Sequence, residues 1–334
     1  MPESSGGSDS DGASPLGLAA GFAVLYVVWG STYLAIRYGV ETIPPFLMAG
    51  VRFLTAGILL VTWAAVRGSP LPSWKHWRTA TVTGALLLLC GNGGVVWAER
   101  VVPSGLTALL LTTTPFWFAL CEWVRPGGKR PTLATWAGLA VGFGGAAVLA
   151  GVGRQNDGTP VHWLGVAVLI GSSLAWAVGS LIAKHSPKPA SAFMGTGIQM
   201  LCGGGLLSLA SGLSGELAEF KPSHVSLKSV LALLYLLVFG SLLALTVYNW
   251  MLHVTRPTLI STHVFVNPVI AVFLGWLFAA EPLTGSMLAA GAVIVAAVAW
   301  LILTQWRDSV RSRSQNAGGS TLAHVPSSGG TIRG

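Results

Sequence analysis

Arg52 is the residue in this chain that most needs a partner. It follows Pro45 by seven positions inside an otherwise apolar run, which places it about 10 Å into that run if the run is helical. An ionised side chain at that depth costs several kcal/mol unless it faces protein, water or a counter-charge. One reading makes it the anchor for a substrate carboxylate or half of a gating ion pair. The other makes it a structural cation that snorkels to the interface or bonds to backbone carbonyls. His263 could relay a proton near neutral pH, or simply bond across helices. Asn92, flanked by Gly91, Gly93 and Gly94, and Asn249 carry amides that could line a cavity or tie two helices together. Pro115 and Pro268 interrupt apolar runs and free the carbonyls of Leu111 and Val264. Thr113 and Asn267 stand next to these breaks as candidate polar ligands. Trp29, Tyr33 and Trp176 lie deep in their runs, where they could stack on an apolar or aromatic solute or pack the core.

Other chemistries find little support. No HExxH, GxSxG or GxxxxGK[ST] pattern is present, so neither a zinc hydrolase, a serine hydrolase nor direct nucleotide hydrolysis is indicated. No catalytic residue, metal site or cofactor is therefore expected. Every aspartate (Asp9, Asp11, Asp157, Asp308) falls in a tail or loop. Glu99 beside Arg100 and Glu122 one turn before Arg125 read as interfacial pairs. Cys90, Cys121 and Cys202 form no metal or redox spacing and read as buried, inert thiols.

The elements that position these residues are membrane helices. The 334-residue chain is 52% hydrophobic and 9% charged, with mean hydropathy +0.68; soluble domains carry roughly 25% charged residues. So few charges cannot cover a soluble surface of this size, and helices are the elements that satisfy their own backbone in hydrocarbon. Ten runs are long and apolar enough to serve: 17–37, 45–66, 79–98, 104–124, 132–151, 162–183, 191–211, 229–250, 258–279 and 285–306. Residues 1–16 and 307–334 are polar, Ser/Gly-rich tails. The formal charge of +8 resides in short loops, which points to membrane orientation and away from nucleic acid. Thirteen of the nineteen Lys and Arg fall on the side that bears both tails and five on the other, a bias that places both termini in the cytoplasm. Trp74, Trp77, Trp97, Trp123, Trp163, Trp250 and Trp306 lie near run ends, as an interfacial belt would. Gly138-x-x-x-Gly142 fits close helix packing, within the chain or at a homodimer seam.

The chain also repeats itself. At an offset of 147, Trp29 corresponds to Trp176, Arg37 to Lys184, Phe46 to Phe193, Gly50 to Gly197 and Gly57 to Gly204, while Arg52 corresponds to Gln199. At 153, Trp97 corresponds to Trp250, Pro115 to Pro268 and Trp123 to Trp276. Each unit, 17–151 and 162–306, holds five runs. Five is odd, so the second unit enters the membrane upside down. The expectation is an all-α integral membrane protein of ten transmembrane helices in two inverted five-helix repeats. Secondary transporters use this plan and bind substrate near the midplane where the repeats meet.

WGSTYLAIRYGV, followed by PPFLMAGVRF, resembles the first two helices of EamA-type transporters of the drug/metabolite transporter superfamily. The segment from Arg256 to Thr284, with its proline and trailing Glu281-Pro282-Leu283-Thr284, resembles their ninth helix. Gly128 stands where the first repeat would match Glu281, so that glutamate has no repeat partner. The resemblance covers 17–306 and implies ten helices, two EamA repeats, and usually export of amino acids, metabolites or toxic compounds across a bacterial plasma membrane. The expected partners are a small-molecule substrate and the lipid bilayer, with a homodimer as a further option. An importer or exchanger of the same fold is the alternative, and an intramembrane enzyme a more distant one.

Overall fold

The computed structural model describes residues 14–98, 100–102, 107, 110–128, 130–149, 162–187, 189–279, 285, 288–289, 291–300 and 303. All regular structure among them is helical. The principal helices are α1 (Pro15–Gly39), α2 (Pro45–Val66), α3 (Trp74–Ala98), α4 (Thr114–Val124), α5 (Leu133–Leu149), α6 (Trp163–His185), α7 (Ala192–Leu213), α8 (Leu227–Val254), α9 (His263–Ala279) and α10 (Gly291–Trp300). Six of these, α1, α2, α3, α6, α7 and α8, are long and apolar enough to cross a membrane. Their outward faces carry exposed Ile58, Trp63, Phe193, Leu234 and Phe239, side chains suited to lipid. This is a multi-pass membrane protein. Residues 1–13, the C-terminal tail 307–334, the link 150–161 and Glu99, Glu281 and Trp306 lie outside the described residues, while residues 14–16, expected in the N-terminal tail, cap and begin α1.

Helix starts follow local chemistry. Ser14, Ser191 and Ser226 accept from the amides of Gly17, Met194 and Ser229 at 3.1, 3.3 and 3.1 Å, each covering one of the unpaired donors of a first turn. α2 begins at Pro44-Pro45 with no capping side chain of its own. Its cap comes from far along the chain: the buried Glu216 accepts from Phe46 N at 3.3 Å and Leu47 N at 3.0 Å, and Ser211 Oγ donates to it at 3.0 Å. The link after α7, polar in sequence, thus contributes a buried carboxylate. It is aimed at the positive end of the helix that carries Arg52.

Lipid supplies little hydrophobic drive between helices, so association depends on close contact. α2 and α7 run antiparallel in the closest helix pairing among the described residues. Along their seam Gly50 lies opposite Ser208, Leu54 opposite Gly204, Gly57 opposite Leu201 and Val61 opposite Gly197. A Cβ on Gly57 would stand 2.8 Å from Leu201 N, and one on Gly204 2.6 Å from Leu54 N. The glycines that match across the two halves of the sequence are therefore those on which the halves touch. Gly142, by contrast, faces the Phe265 ring of α9, so it packs within the chain.

Two features were not read from the sequence. Ala85–Gly93 within α3 and Leu236–Leu245 within α8 are wound as π-helix, a geometry common at functional positions. The thiols also differ from expectation: Cys90 is exposed, and Cys121 and Cys202 are half-buried. A helix side chain that turns away from its neighbours meets lipid, not core.

Candidate functional site

A cavity of about 120 Å³ lies among α1, α2, α3, α6, α8, α9 and the lead-in to α4. It is nearer the end of the bundle where residues 40–44 join α1 to α2, called here the hinge end; the other is the terminal end. Seven residues singled out from the sequence line it: Arg52, Trp29, Tyr33, Asn92, Trp176, His263 and Asn267. Two do not. Thr113 lines an outward apolar groove with Phe116, Trp117 and Trp136, and Asn249 lies in a different cavity towards the terminal end. Ser173 and Gly240 line the central cavity and were not foreseen.

Arg52 stays inside the bundle, only 5% exposed, and does not reach the interface. Its Nε donates to Ser241 Oγ at 2.6 Å, and its guanidinium lies 4.6 Å from the centre of the Phe53 ring. Gly240 makes room for it, since a Cβ there would sit 2.9 Å from Nη2. Among the described residues no carboxylate lines the cavity, and the ion pair found is the exposed Lys228–Glu41 contact at 2.9 Å. Glu122 and Arg125 form none. A guanidinium has five donors, so Arg52 keeps donors for an anion.

The rest of the wall complements it. Asn92 Oδ1, Ser173 Oγ and Asn267 Oδ1 are buried without a hydrogen-bond partner in the protein. Each such atom costs about 1–3 kcal/mol if nothing binds it, and three at one small cavity mark a place where a polar guest belongs. Trp29, Trp176, Tyr248 and His263 close the floor as one aromatic cluster. Their ring centres are 5.7 Å (Trp29–Trp176), 5.1 Å (Trp29–Tyr248), 4.7 Å (Trp29–His263) and 5.4 Å (Trp176–Tyr248) apart. The repeat mates Trp29 and Trp176 thus meet. The Tyr248 hydroxyl pins the cluster: it accepts from Trp176 Nε1 at 2.8 Å and bonds Ser180 Oγ at 2.6 Å. His263 Nδ1 donates to the Ile260 carbonyl at 2.9 Å.

Broken helices place α4 and α9 beside the cavity. The chain breaks at Thr112–Thr113 before α4, where Pro115 is the second residue. The Leu111 carbonyl that Pro115 cannot serve accepts from Thr114 Oγ1 at 2.7 Å. In the other half the break falls at Ser261–Thr262, and Pro268 lies inside α9. There the hydroxyls of Ser261 and Thr262 donate to the carbonyls of Thr258 and Leu259 at 2.8 and 2.7 Å.

A multi-pass helical bundle with a polar, aromatic-walled cavity at the meeting of its two halves is the form of a membrane transporter. The EamA-like transporter family model matches this chain twice, over residues 17–151 and 163–303, and the chain belongs to that family. It is 40% identical to the uncharacterized inner membrane transporter YedA of Escherichia coli (strain K12) over 276 residues, covering 82% of this chain and 87% of that protein. It is 26% identical to the uncharacterized transporter YvbV of Bacillus subtilis (strain 168), over 83% of this chain and 88% of the other. A solved crystal structure with 21% identity superposes with a TM-score of 0.69, covering 86% of this chain and 98% of its own, which shows a shared fold.

Proposed function

We propose that this protein is a secondary transporter that exports a small carboxylate-bearing metabolite across a bacterial plasma membrane by alternating access. In this reading ten transmembrane helices form two inverted repeats, with both termini in the cytoplasm. The double family match, the antiparallel glycine seam between repeat mates and the meeting of Trp29 with Trp176 support the inverted arrangement. The charge bias of the loops supports the orientation.

The single observation that carries the substrate reading is Arg52, buried and without a carboxylate partner among the described residues, in a cavity where Asn92 Oδ1, Ser173 Oγ and Asn267 Oδ1 are also unmatched. A carboxylate would take the guanidinium, while hydroxyl or ammonium donors of the same molecule would meet Asn92, Asn267 and Ser173. The volume argues for a small guest. About 120 Å³ is room for about four waters at roughly 30 Å³ each, well below the roughly 300–1,000 Å³ of sites for drug-sized ligands. Movement of one half against the other along the α2–α7 seam would then expose the guest to the opposite side.

A panel of amino acids, other carboxylic acids, dyes and antibiotics tests this. Release from cells that overproduce the wild type is compared with release from cells producing Arg52→Ala at equal membrane abundance. Faster release of a carboxylate class by the wild type alone supports the reading. Accelerated uptake of the same class would replace export with import or exchange, and no movement of any compound would remove it.

A further inference from the structure

A second cavity, of about 470 Å³, lies at the terminal end of the bundle between the starts of α3 and α7 and the ends of α6 and α8. Its size falls within the roughly 300–1,000 Å³ of small-molecule sites. Its polar wall includes Thr83, Thr196, Gln199 and Asn249 together with His76 and His253, and among the described residues no Lys, Arg, Asp or Glu lines it. Asn249 sets its character. Both hydrogens of Nδ2 are used, on Gln199 Oε1 at 2.7 Å and Thr196 Oγ1 at 3.2 Å. The remaining Oδ1 can only accept, and no protein group donates to it.

This cavity and the central one are related through the repeat. Gln199 is the counterpart of Arg52, and the two sit on the paired helices α7 and α2, one facing each cavity. Between the cavities stands the ring cluster of Trp29, Trp176, Tyr248 and His263, backed by the buried Leu25, Met251, Leu252 and Ile260. A packed aromatic layer with a polar chamber on either side is a closed partition on a route.

We infer that the terminal-end cavity is a second substrate chamber, the counterpart of the central one across the aromatic layer. It holds the same small polar solute by that solute's hydroxyl or ammonium donors instead of its carboxylate. The inference rests on the transporter reading above. Because Gln199 is neutral where Arg52 is charged, this chamber is the weaker of the two for an anion. The difference affects which side saturates first and not the final gradient, since affinity alone moves no solute uphill.

Thiol accessibility tests this without knowledge of the substrate. Cys90, Cys121 and Cys202 are replaced by alanine, and single cysteines are introduced as Thr196→Cys, Ala192→Cys and Asn92→Cys. Sealed vesicles of each orientation are exposed to a membrane-impermeant methanethiosulfonate. Thr196→Cys and Ala192→Cys should react only from the terminal side, and Asn92→Cys only from the hinge side. Thr196→Cys inert from both sides would overturn the chamber, as would Thr196→Cys and Asn92→Cys both reacting from one side. Should Thr196→Cys fail to fold, Gly195→Cys decides in its place, at a half-buried lining position where a Cβ would come no closer than 3.4 Å to Pro189; the exposed Ala192→Cys serves as the control for reagent reaching the terminal side. A wild type that carries no solute would sink the transporter reading while leaving the labelling pattern to stand or fall by itself.

Discussion

Adding one methyl group to α7 should have opposite consequences at neighbouring positions. A Cβ on Gly204 would lie 2.6 Å from Leu54 N and 3.0 Å from Phe53 C, whereas one on Gly205 would meet nothing within 4 Å. Both positions are helical, so alanine gains roughly 0.5–1 kcal/mol over glycine at each. That gain cancels in the comparison. What remains at Gly204 is a collision with main chain, which cannot rotate away, and overpacking of this kind costs about 1–3 kcal/mol. Gly204→Ala should therefore unfold at a lower midpoint than Gly205→Ala, by the equivalent of about 1–3 kcal/mol, when purified protein is denatured thermally in detergent. The methyl would also displace Phe53, the neighbour of Arg52, so substrate affinity should fall with stability. The same argument applies to Gly57→Ala, opposite Leu201 N at 2.8 Å. The double variant Gly57→Ala/Gly204→Ala should lose less than the sum of the two, because one separation of the helices relieves both contacts. Equal midpoints for Gly204→Ala and Gly205→Ala would refute the close seam.

Three further outcomes follow from single contacts. Glu216→Ala removes the acceptor for Phe46 N and Leu47 N and should cost about 1–2 kcal/mol, as loss of a helix cap does; thermal midpoints no lower than those of Glu219→Ala, an exposed control, would contradict this. Tyr248→Phe strands Trp176 Nε1, now bonded at 2.8 Å. It should cost about 1–3 kcal/mol, while Ser180 still bonds the Trp176 carbonyl at 2.7 Å; unchanged stability would show that the hydroxyl does not pin the cluster. Glu41→Gln breaks an ion pair whose side chains are 50% and 44% exposed. It should shift stability by less than about 1 kcal/mol, and a larger loss would mean that the pair is coupled to something beyond itself.

Much of this was legible in the sequence, for reasons that differ by residue. Arg52 stood out because a charge inside an apolar run must be accounted for, and the repeat identified Trp29 and Trp176 because their offset is constant. The matched glycines Gly50, Gly57, Gly197 and Gly204 were visible as matches. That they face one another was not, because pairing of two helices is a tertiary fact that spacing along one of them does not contain. Glu216 was read as part of a polar link, since its partners lie some 170 positions away. One signal was available: α2 begins at Pro44-Pro45 without a Ser, Thr, Asp or Asn cap, so its first amides had to find an acceptor elsewhere. Asn249 and Thr113 carry suitable chemistry but turn towards other spaces, and helical phase alone did not separate them from Asn92 and Thr114. The π-helical stretches leave no pattern in residue type, because they arise where packing on both sides of a helix is satisfied by one extra residue per turn.

The central claim is that Arg52 binds the carboxylate of a transported solute. Flux into proteoliposomes, measured for each carboxylic acid that the cells release and for its methyl ester, tests it most directly. A charged hydrogen bond is worth about 1.5–3 kcal/mol, or roughly 10–100-fold in affinity. The wild type should carry the acid and not the ester, and Arg52→Gln, folded to the same thermal midpoint within experimental scatter, should need roughly 10–100-fold more acid for the same flux. Equal transport of acid and ester by the wild type, or an unchanged concentration dependence in Arg52→Gln, would contradict the account.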